Sequence, residues 1–355
     1  MVQKVFSSLF ILLVTALFFR ECKPASSSDN SGIQSEQSEN LENYIEEKEP
    51  EELLKIREFM TYYPDLEYKA EFDENLQDWK IEITRKTFLN REDISEAHKA
   101  LRKSALFYWA GGRLLPEAEL FEKENYWLLQ YPYENKLRDP KTFTAEEIER
   151  IKEFGSSSAR KSDNGTPMFF FDFLYSAQSR PIIEEHIIKT KFLGKTTKVH
   201  ERIFPALKRV EAKVCQLAGI FSDELASSEK ISRIDVSSES LTGEEKEIRL
   251  FIKSLKSSDA YYWREIAGTN RKSFHCYGIA IDLLPRRLNG RSIYWGWEKE
   301  RSGDKWMMVP PEARWAPPLA VIKAFEEEGF IWGGYWIIFD NMHFEYHPEL
   351  SKAKN

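Results

Sequence analysis

Polar and apolar positions along the chain change period several times, and each change predicts an element. Val5 to Phe19 are almost continuously apolar, broken only by Ser7, Ser8 and Thr15, with Lys4 ahead of them. That run falls short of the roughly 20 apolar residues of a membrane span and fits residues 1–22 as an export signal. Residues 23–50 carry almost no apolar side chains, cannot bury enough surface to order themselves, and read as a tether. A helical period begins after Pro50 (EELLKIREFM), and alternation over 66–88 predicts a β-hairpin turning near Asp73-Glu74-Asn75. SEAHKALRKSALFYWAGGRLLP reads as a helix ended by Gly111-Gly112, and TAEEIERIKEF as an amphipathic helix capped by Thr144.

The polar stretch GSSSARKSDNGTP (155–167) is the best boundary, separating a region 51–155 from a domain 165–355. Beyond it, residues 168–177, 200–221 and 317–330 have the spacing of helices. Residues 230–238, 277–285 and 343–347 alternate or are β-rich and read as strands. The mixture predicts an α+β fold, and no internal repeat is visible.

Composition changes this picture in two ways. With 10 Trp, 15 Tyr and 24 Phe in 355 residues, a sizeable core is available. A net charge of -7 without a basic face excludes nucleic acid as a partner, because phosphate binding needs a cationic footprint. Cys22 stands where a bacterial lipoprotein cysteine would, although Phe19-Arg20-Glu21 fit a lipobox poorly, so lipidation stays open. Cys215 and Cys276 are far apart; an oxidising compartment permits a bridge, and Cys276 otherwise reads as a small core residue.

The chemistry gathers in two windows. In the first, Ile279, Ile281 and Leu283 alternate with Ala280 and Asp282, the pattern of a strand with one buried face. Gly278 allows a bend ahead of that strand, through which His275 approaches Asp282. An imidazole and a carboxylate are ordinary zinc ligands, although the pair alone fits a buried histidine beside an unrelated surface aspartate as well. The second window adds His343 in an aromatic-rich strand, with Asp340 three residues earlier after a turn. Three protein ligands leave the open position that a catalytic zinc needs, and a nearby carboxylate can take a proton from water. His343, Glu345 and His347 share one strand face by their period of two. His347 therefore competes for ligand status, and Glu345 suits a hydrogen bond to a ligand imidazole.

The pattern Ser273-x-His275-x-x-Gly278-x-Ala280-x-Asp282 is followed by Trp332-Gly333-Gly334-x-Trp336-x-x-x-Asp340-x-x-His343-Phe344-Glu345. Together they resemble the VanY-type D-alanyl-D-alanine carboxypeptidases and the related L-alanyl-D-glutamate peptidases of phage endolysins, over about residues 200–350. The resemblance implies a small antiparallel sheet carrying the ligands, with helices packed on its other side. It implies one Zn2+ per chain on His275, Asp282 and His343, and Asp340 as general base and acid. An arginine upstream of the first histidine then polarises the scissile carbonyl, with Arg264 the candidate and Arg271 the alternative. Peptidoglycan stem peptides would be the substrates, cut by a carboxypeptidase or an endopeptidase outside the cytoplasm.

Several residues stay outside that assignment. His98, His186 and His200 read as ordinary surface or core residues, and Ser273 as a brace or a substrate contact. Tyr294, Trp295, Trp297, Trp306 and Trp315 fit either core packing or a groove wall. Region 51–155 shows no chemical motif. The alternative to an enzyme is a catalytically silent zinc protein that binds the cell wall.

Overall fold

Apolar side chains of the first helical period fall on one face, and that face decides where the chain folds back. The computed structural model describes residues 50–86, 103–156, 165–264, 266 and 271–351. The export segment, the tether, Cys22 and His98 lie outside these. Helix α1 (Glu51–Thr61) buries Ile56, Phe59 and Met60. Strands β1 (Leu66–Asp73) and β2 (Asp78–Arg85) form the expected hairpin. Its turn is held by Asp73 Oδ1, which accepts from the Asn75 and Leu76 amides at 3.0 and 3.2 Å.

The next apolar stretch departs from expectation. Residues 104–109, read as part of a helix, form strand β3 (Ser104–Trp109), which pairs with β2 and with the short β4 (Leu114–Leu115). Gly111 and Gly112 take φ of +59° and +91°, so they turn a hairpin rather than end a helix. Packing explains the outcome: Phe107 and Trp109 of β3 reach Phe173 and Phe59 across the core, at centroid distances of 6.2 and 5.5 Å. Helix α2 (Ala145–Gly155) has the predicted cap, with Thr144 and Glu147 each accepting the other's backbone N–H.

Helices α3 (Phe169–Leu174) and α4 (Arg180–Glu184) lead into a two-stranded hairpin, β5 (Ile187–Phe192) and β6 (Lys195–His200). Then come α5 (Phe204–Leu217), α6 (Ser228–Arg233) and α7 (Gly243–Ser254). Residues 230–233, the start of the strand expected over 230–238, belong to helix α6, which Ser227 caps, its hydroxyl accepting from the Lys230 amide at 3.2 Å. The remaining elements are β7 (Leu255–Asp259), β8 (Ala280–Pro285), α8 (Trp295–Ser302), α9 (Leu319–Glu326), β9 (Phe330–Trp332) and β10 (His343–Tyr346).

These last strands make an antiparallel sheet in the order β7-β8-β10-β9. Its back face buries Ile281, Leu283 and Phe344, with Phe325 of α9 stacked on Phe344 at 3.9 Å. Its front face carries Asp259, Asp282 and His343 in one row, each opposite the next. The fold is α+β. Residues of α1, β2 and β3 share one hydrophobic core with α3, α5, α9 and this sheet, and Phe59 meets Phe170 edge-on at 5.5 Å. Each such phenyl contributes about 1.5–3 kcal/mol on burial, so region 51–155 is joined to the rest by packing.

A smaller core beside it holds Trp295, Trp306 and Phe339, and Trp315 stacks on Phe251. The packing reading therefore describes these three tryptophans, while Trp297 is exposed against Tyr294. Cys215 and Cys276 are free and buried, so the permitted bridge is not formed. Among the described residues no helix is long and apolar enough to cross a membrane.

Candidate metal centre

His275 is placed by a short turn rather than by a strand. The turn Phe274–Tyr277 begins at Ser273, whose hydroxyl accepts from the His275 amide at 3.3 Å, and ends at Gly278 with φ +64°. A side chain at Gly278 would meet Ile187 Cδ1 at 2.7 Å and the His200 amide nitrogen at 2.8 Å. Glycine is thus required there for both conformation and closeness. The bend turns His275 back toward β8, and its Nδ1 lies 2.5 Å from the Ala260 carbonyl. That bond makes Nδ1 the protonated nitrogen and leaves the Nε2 lone pair aimed inward. Nε2 is buried, 3.3 Å from Asp282 Oδ2, without a hydrogen bond.

Asp282 and His343 are brought together by strand register. They are directly opposed between β8 and β10, with His343 Nδ1 2.8 Å from Asp282 Oδ1. The other nitrogen of His343 lies 2.8 Å from Glu345 Oε1. One ligating atom from each of His275, Asp282 and His343 falls within 4.8 Å of the others. Two imidazoles and a carboxylate, with an orphaned buried lone pair among them, fit a zinc ion.

Electrostatics agree with a site built for positive charge. Burial works to raise the Asp282 carboxyl, but His275 and His343 overcome it and hold the group well below the usual carboxylate range. Burial opposes protonation of His343, and Asp282 and Glu345 outweigh that and push its imidazole well up. Glu345 is held down to about 2, because His343 and His347 outweigh the desolvation that would raise it. Asp340 behaves differently. Burial, with Asp282 and Glu345 nearby, pushes it up to about 8 against the opposing pull of His343. Its Oδ1 is buried without a partner.

His347 is not part of the ligand group among the described residues. It lies between Glu345 Oε2 at 3.4 Å and Glu349 Oε1 at 2.8 Å. Glu349 also accepts from the Tyr63 hydroxyl at 2.6 Å. The shared face expected from period two is present, but the strand leads His347 inward. His186 meets Glu201 at 2.7 Å and His200 is buried in the core, so neither enters the site.

Of the two arginine candidates, Arg264 lines the cleft beside the metal group and Arg271 does not. This cleft, of about 410 Å³, is lined by His275, Asp282, Arg264, Asp259 and Tyr262, together with residues of β5 and β6. Arg271 does not line it; its side chain lies against Gly165. Cys276 clasps the Arg264 backbone, its sulfur accepting from the amide at 3.1 Å and donating to the carbonyl at 2.6 Å. Sequence reasoning missed this clasp and the Ala260 carbonyl. It also missed Lys189 and Lys198, which reach the cleft from β5–β6. The signal for that hairpin was the Leu193-Gly194 turn between two Lys/Thr-rich runs.

Residues 267–346 match the family model described as D-alanyl-D-alanine carboxypeptidase. The match spans both motif windows and bears out the resemblance to the VanY-type zinc peptidase family over this segment. No curated protein and no solved structure matched the chain.

Proposed function

We propose, from the premise that residues 267–346 are the segment of a D-alanyl-D-alanine carboxypeptidase-type peptidase, that this protein is an exported, zinc-dependent hydrolase of peptidoglycan stem peptides. The observation that carries the reading is the convergence of His275, Asp282 and His343 from a turn and two strands into one group. His275 Nε2, an Asp282 oxygen and His343 Nδ1 would hold the ion, and Glu345 and the Ala260 carbonyl would fix the two imidazoles. When bound there, zinc supplies Lewis acidity toward water and the scissile carbonyl.

The remaining steps belong to the chain's own groups. Asp340 takes a proton from the attacking water and returns it to the leaving amine. An ordinary aspartate is a weak base at neutral pH, and burial beside other carboxylates raises this one toward the range where proton transfer both ways is efficient. Arg264, fixed at its backbone by Cys276 and lining the cleft together with His275 and Asp282, donates to the carbonyl oxygen as negative charge develops. The apolar N-terminal run supports export, and Cys22 is a possible point of lipid attachment.

Zinc content and hydrolysis of purified muropeptides, compared between the chain without residues 1–22 and its Asp340→Ala variant, test this. Both should hold one zinc per chain. The variant should lose about 10²–10⁴-fold in kcat, the usual contribution of a general acid–base group. Zinc without cleavage of any stem peptide would favour the silent wall-binding protein, and absence of zinc would overturn the ligand assignment.

A further inference from the structure

One edge of the ligand sheet is closed by a side chain from region 51–155. The order β7-β8-β10-β9 leaves β9 at an edge, where backbone groups lack a neighbouring strand. Trp332 ends β9 and is buried, so its amide and carbonyl need partners other than water. The Tyr133 hydroxyl supplies them. It accepts from the Trp332 amide at 2.8 Å and lies 3.4 Å from the Trp332 carbonyl, with Glu326 Oε1 at the same distance. A phenol has one proton, so it donates to one of those two oxygens while the amide bond holds in either case. Tyr133 is itself buried, packed with Ile331 and Leu350, and its ring meets Tyr335 edge-on at 6.2 Å. Three residues earlier, Gln130 Nε2 donates to the Glu349 carbonyl at 3.4 Å, so this stretch is fastened to the sheet at two points.

From Trp332 the path to Asp340 is short. The Trp332 indole Nε1 donates to the Asn341 carbonyl at 2.9 Å. The carbonyl of Gly333, the next residue, accepts from the Asp340 amide at 3.0 Å. A Cβ on Gly333 would meet the Asp340 carbonyl oxygen at 2.7 Å, so the two backbones touch. Asp340 is thus gripped at its own amide and at the residue after it, both times from Trp332-Gly333. Its Oδ1 is buried without a hydrogen bond, so the backbone rather than a partner places that oxygen.

We propose that Tyr133 is a positioning residue for Asp340: its hydroxyl fixes Trp332 at the sheet edge, and Trp332-Gly333 in turn fix the backbone that carries the carboxylate. Tyr133 lies outside residues 267–346, so region 51–155 supplies part of the site that the matched segment does not contain. A proton carrier works only from a narrow range of positions, and displacing it by a fraction of its reach lowers turnover without touching substrate binding. This inference rests on the reading of Asp340 as the group that carries the proton, and its test separates the two.

The experiment compares the zinc-loaded protein with Tyr133→Phe, which removes one hydroxyl and keeps the ring. Muropeptide hydrolysis and residue-resolved hydrogen exchange of backbone amides are measured on both. The variant should lose about tenfold in kcat with KM and zinc content unchanged. Exchange should quicken at the Trp332 and Asp340 amides and stay unchanged in β7 and β8. Tyr126→Phe is the control: it removes a hydroxyl that donates to Glu119 at 2.7 Å in the same region, and should leave kcat unchanged. Unaltered exchange at Asp340, or faster exchange spread over the whole sheet, overturns the positioning role. So does an unaltered kcat in a protein that cleaves. Local release of the Asp340 amide in a protein that cleaves nothing would uphold the positioning role and remove the peptidase reading.

Discussion

Lys69 of β1 faces Glu82 of β2, and Asp282 of β8 faces His343 of β10, each pair directly opposed in an antiparallel ladder. The first pair is exposed on both sides. The second is closed in, and further groups continue it: Glu345 touches His343, His347 lies between Glu345 and Glu349, and Glu349 reaches Tyr63 of the N-terminal region. Strand register does the same work in both places. Water solvates Lys69 and Glu82 whether or not they meet. Removing Asp282 and His343 from water costs several kcal/mol per charge unless each finds a partner, and here acid and base alternate along the whole chain of contacts. The site is the place where that alternation leaves buried polar atoms over, His275 Nε2 and Asp340 Oδ1 among them.

Asp282→Asn breaks the comparison most severely. The substitution keeps the shape and leaves two buried imidazoles without their shared charge partner. Stability in chelator should fall by about 3–5 kcal/mol, as for other buried pairs broken from one side, measured by urea unfolding. The variant should also hold no zinc after dialysis. A loss under about 1 kcal/mol would mean that the buried pair behaves like a surface one.

His200 sharpens the contrast from the other direction. It is as buried as His343 but faces no carboxylate: its Nε2 donates to the Tyr175 carbonyl at 3.2 Å and its Nδ1 accepts from the Arg202 amide at 3.0 Å. Burial, with His186 adjacent, pushes it down to about 3, where His343 is pushed up. Above the unfolded value of about 6.5 both states are neutral and the shift has no effect. Below it the unfolded chain binds a proton that the folded chain refuses, so stability falls with pH until about 3. Between pH 7 and pH 5 the loss from this residue is about 2 kcal/mol. Comparing unfolding free energies of the protein and His200→Gln at both pH values isolates it, since the substitution should remove that part of the slope.

How far the sequence revealed this depends on the range of each interaction. The three clustered side chains, His275, Asp282 and His343, were legible because their placement is local: Ser273 and Gly278 shape one turn, period two sets the face of β10, and Asp282 sits in a clean alternation. The partners of the site were not, because they arrive from elsewhere; the Ala260 carbonyl lies 15 positions before His275 and Glu349 meets a tyrosine 286 positions away. The element errors have the same origin. Ser104–Trp109 is an apolar run that periodicity alone does not assign, and pairing with β2 decided it. Residues 230–238 had a β-rich look, and over 230–233 a helix capped by Ser227 replaced it. Hairpin β5–β6 was missed because its lysines and threonines do not alternate with apolar residues in the way a half-buried strand does.

The smallest expected effect is at Glu82. Glu82→Gln removes the charge opposite Lys69 while keeping the side chain's length and its place on β2. Cross-strand pairs of this kind are worth about 0.2–1 kcal/mol, and exposure to solvent and salt puts this one at the low end. The unfolding free energy should change by less than about 0.5 kcal/mol, and the change should vanish at about 1 M salt, where the Debye length shrinks to roughly 3 Å. Zinc content should be unaffected. A loss approaching that of Asp282→Asn, or one insensitive to salt, would show that register rather than burial sets the strength of these pairs. The difference between the two sheets would then have to come from somewhere other than solvent.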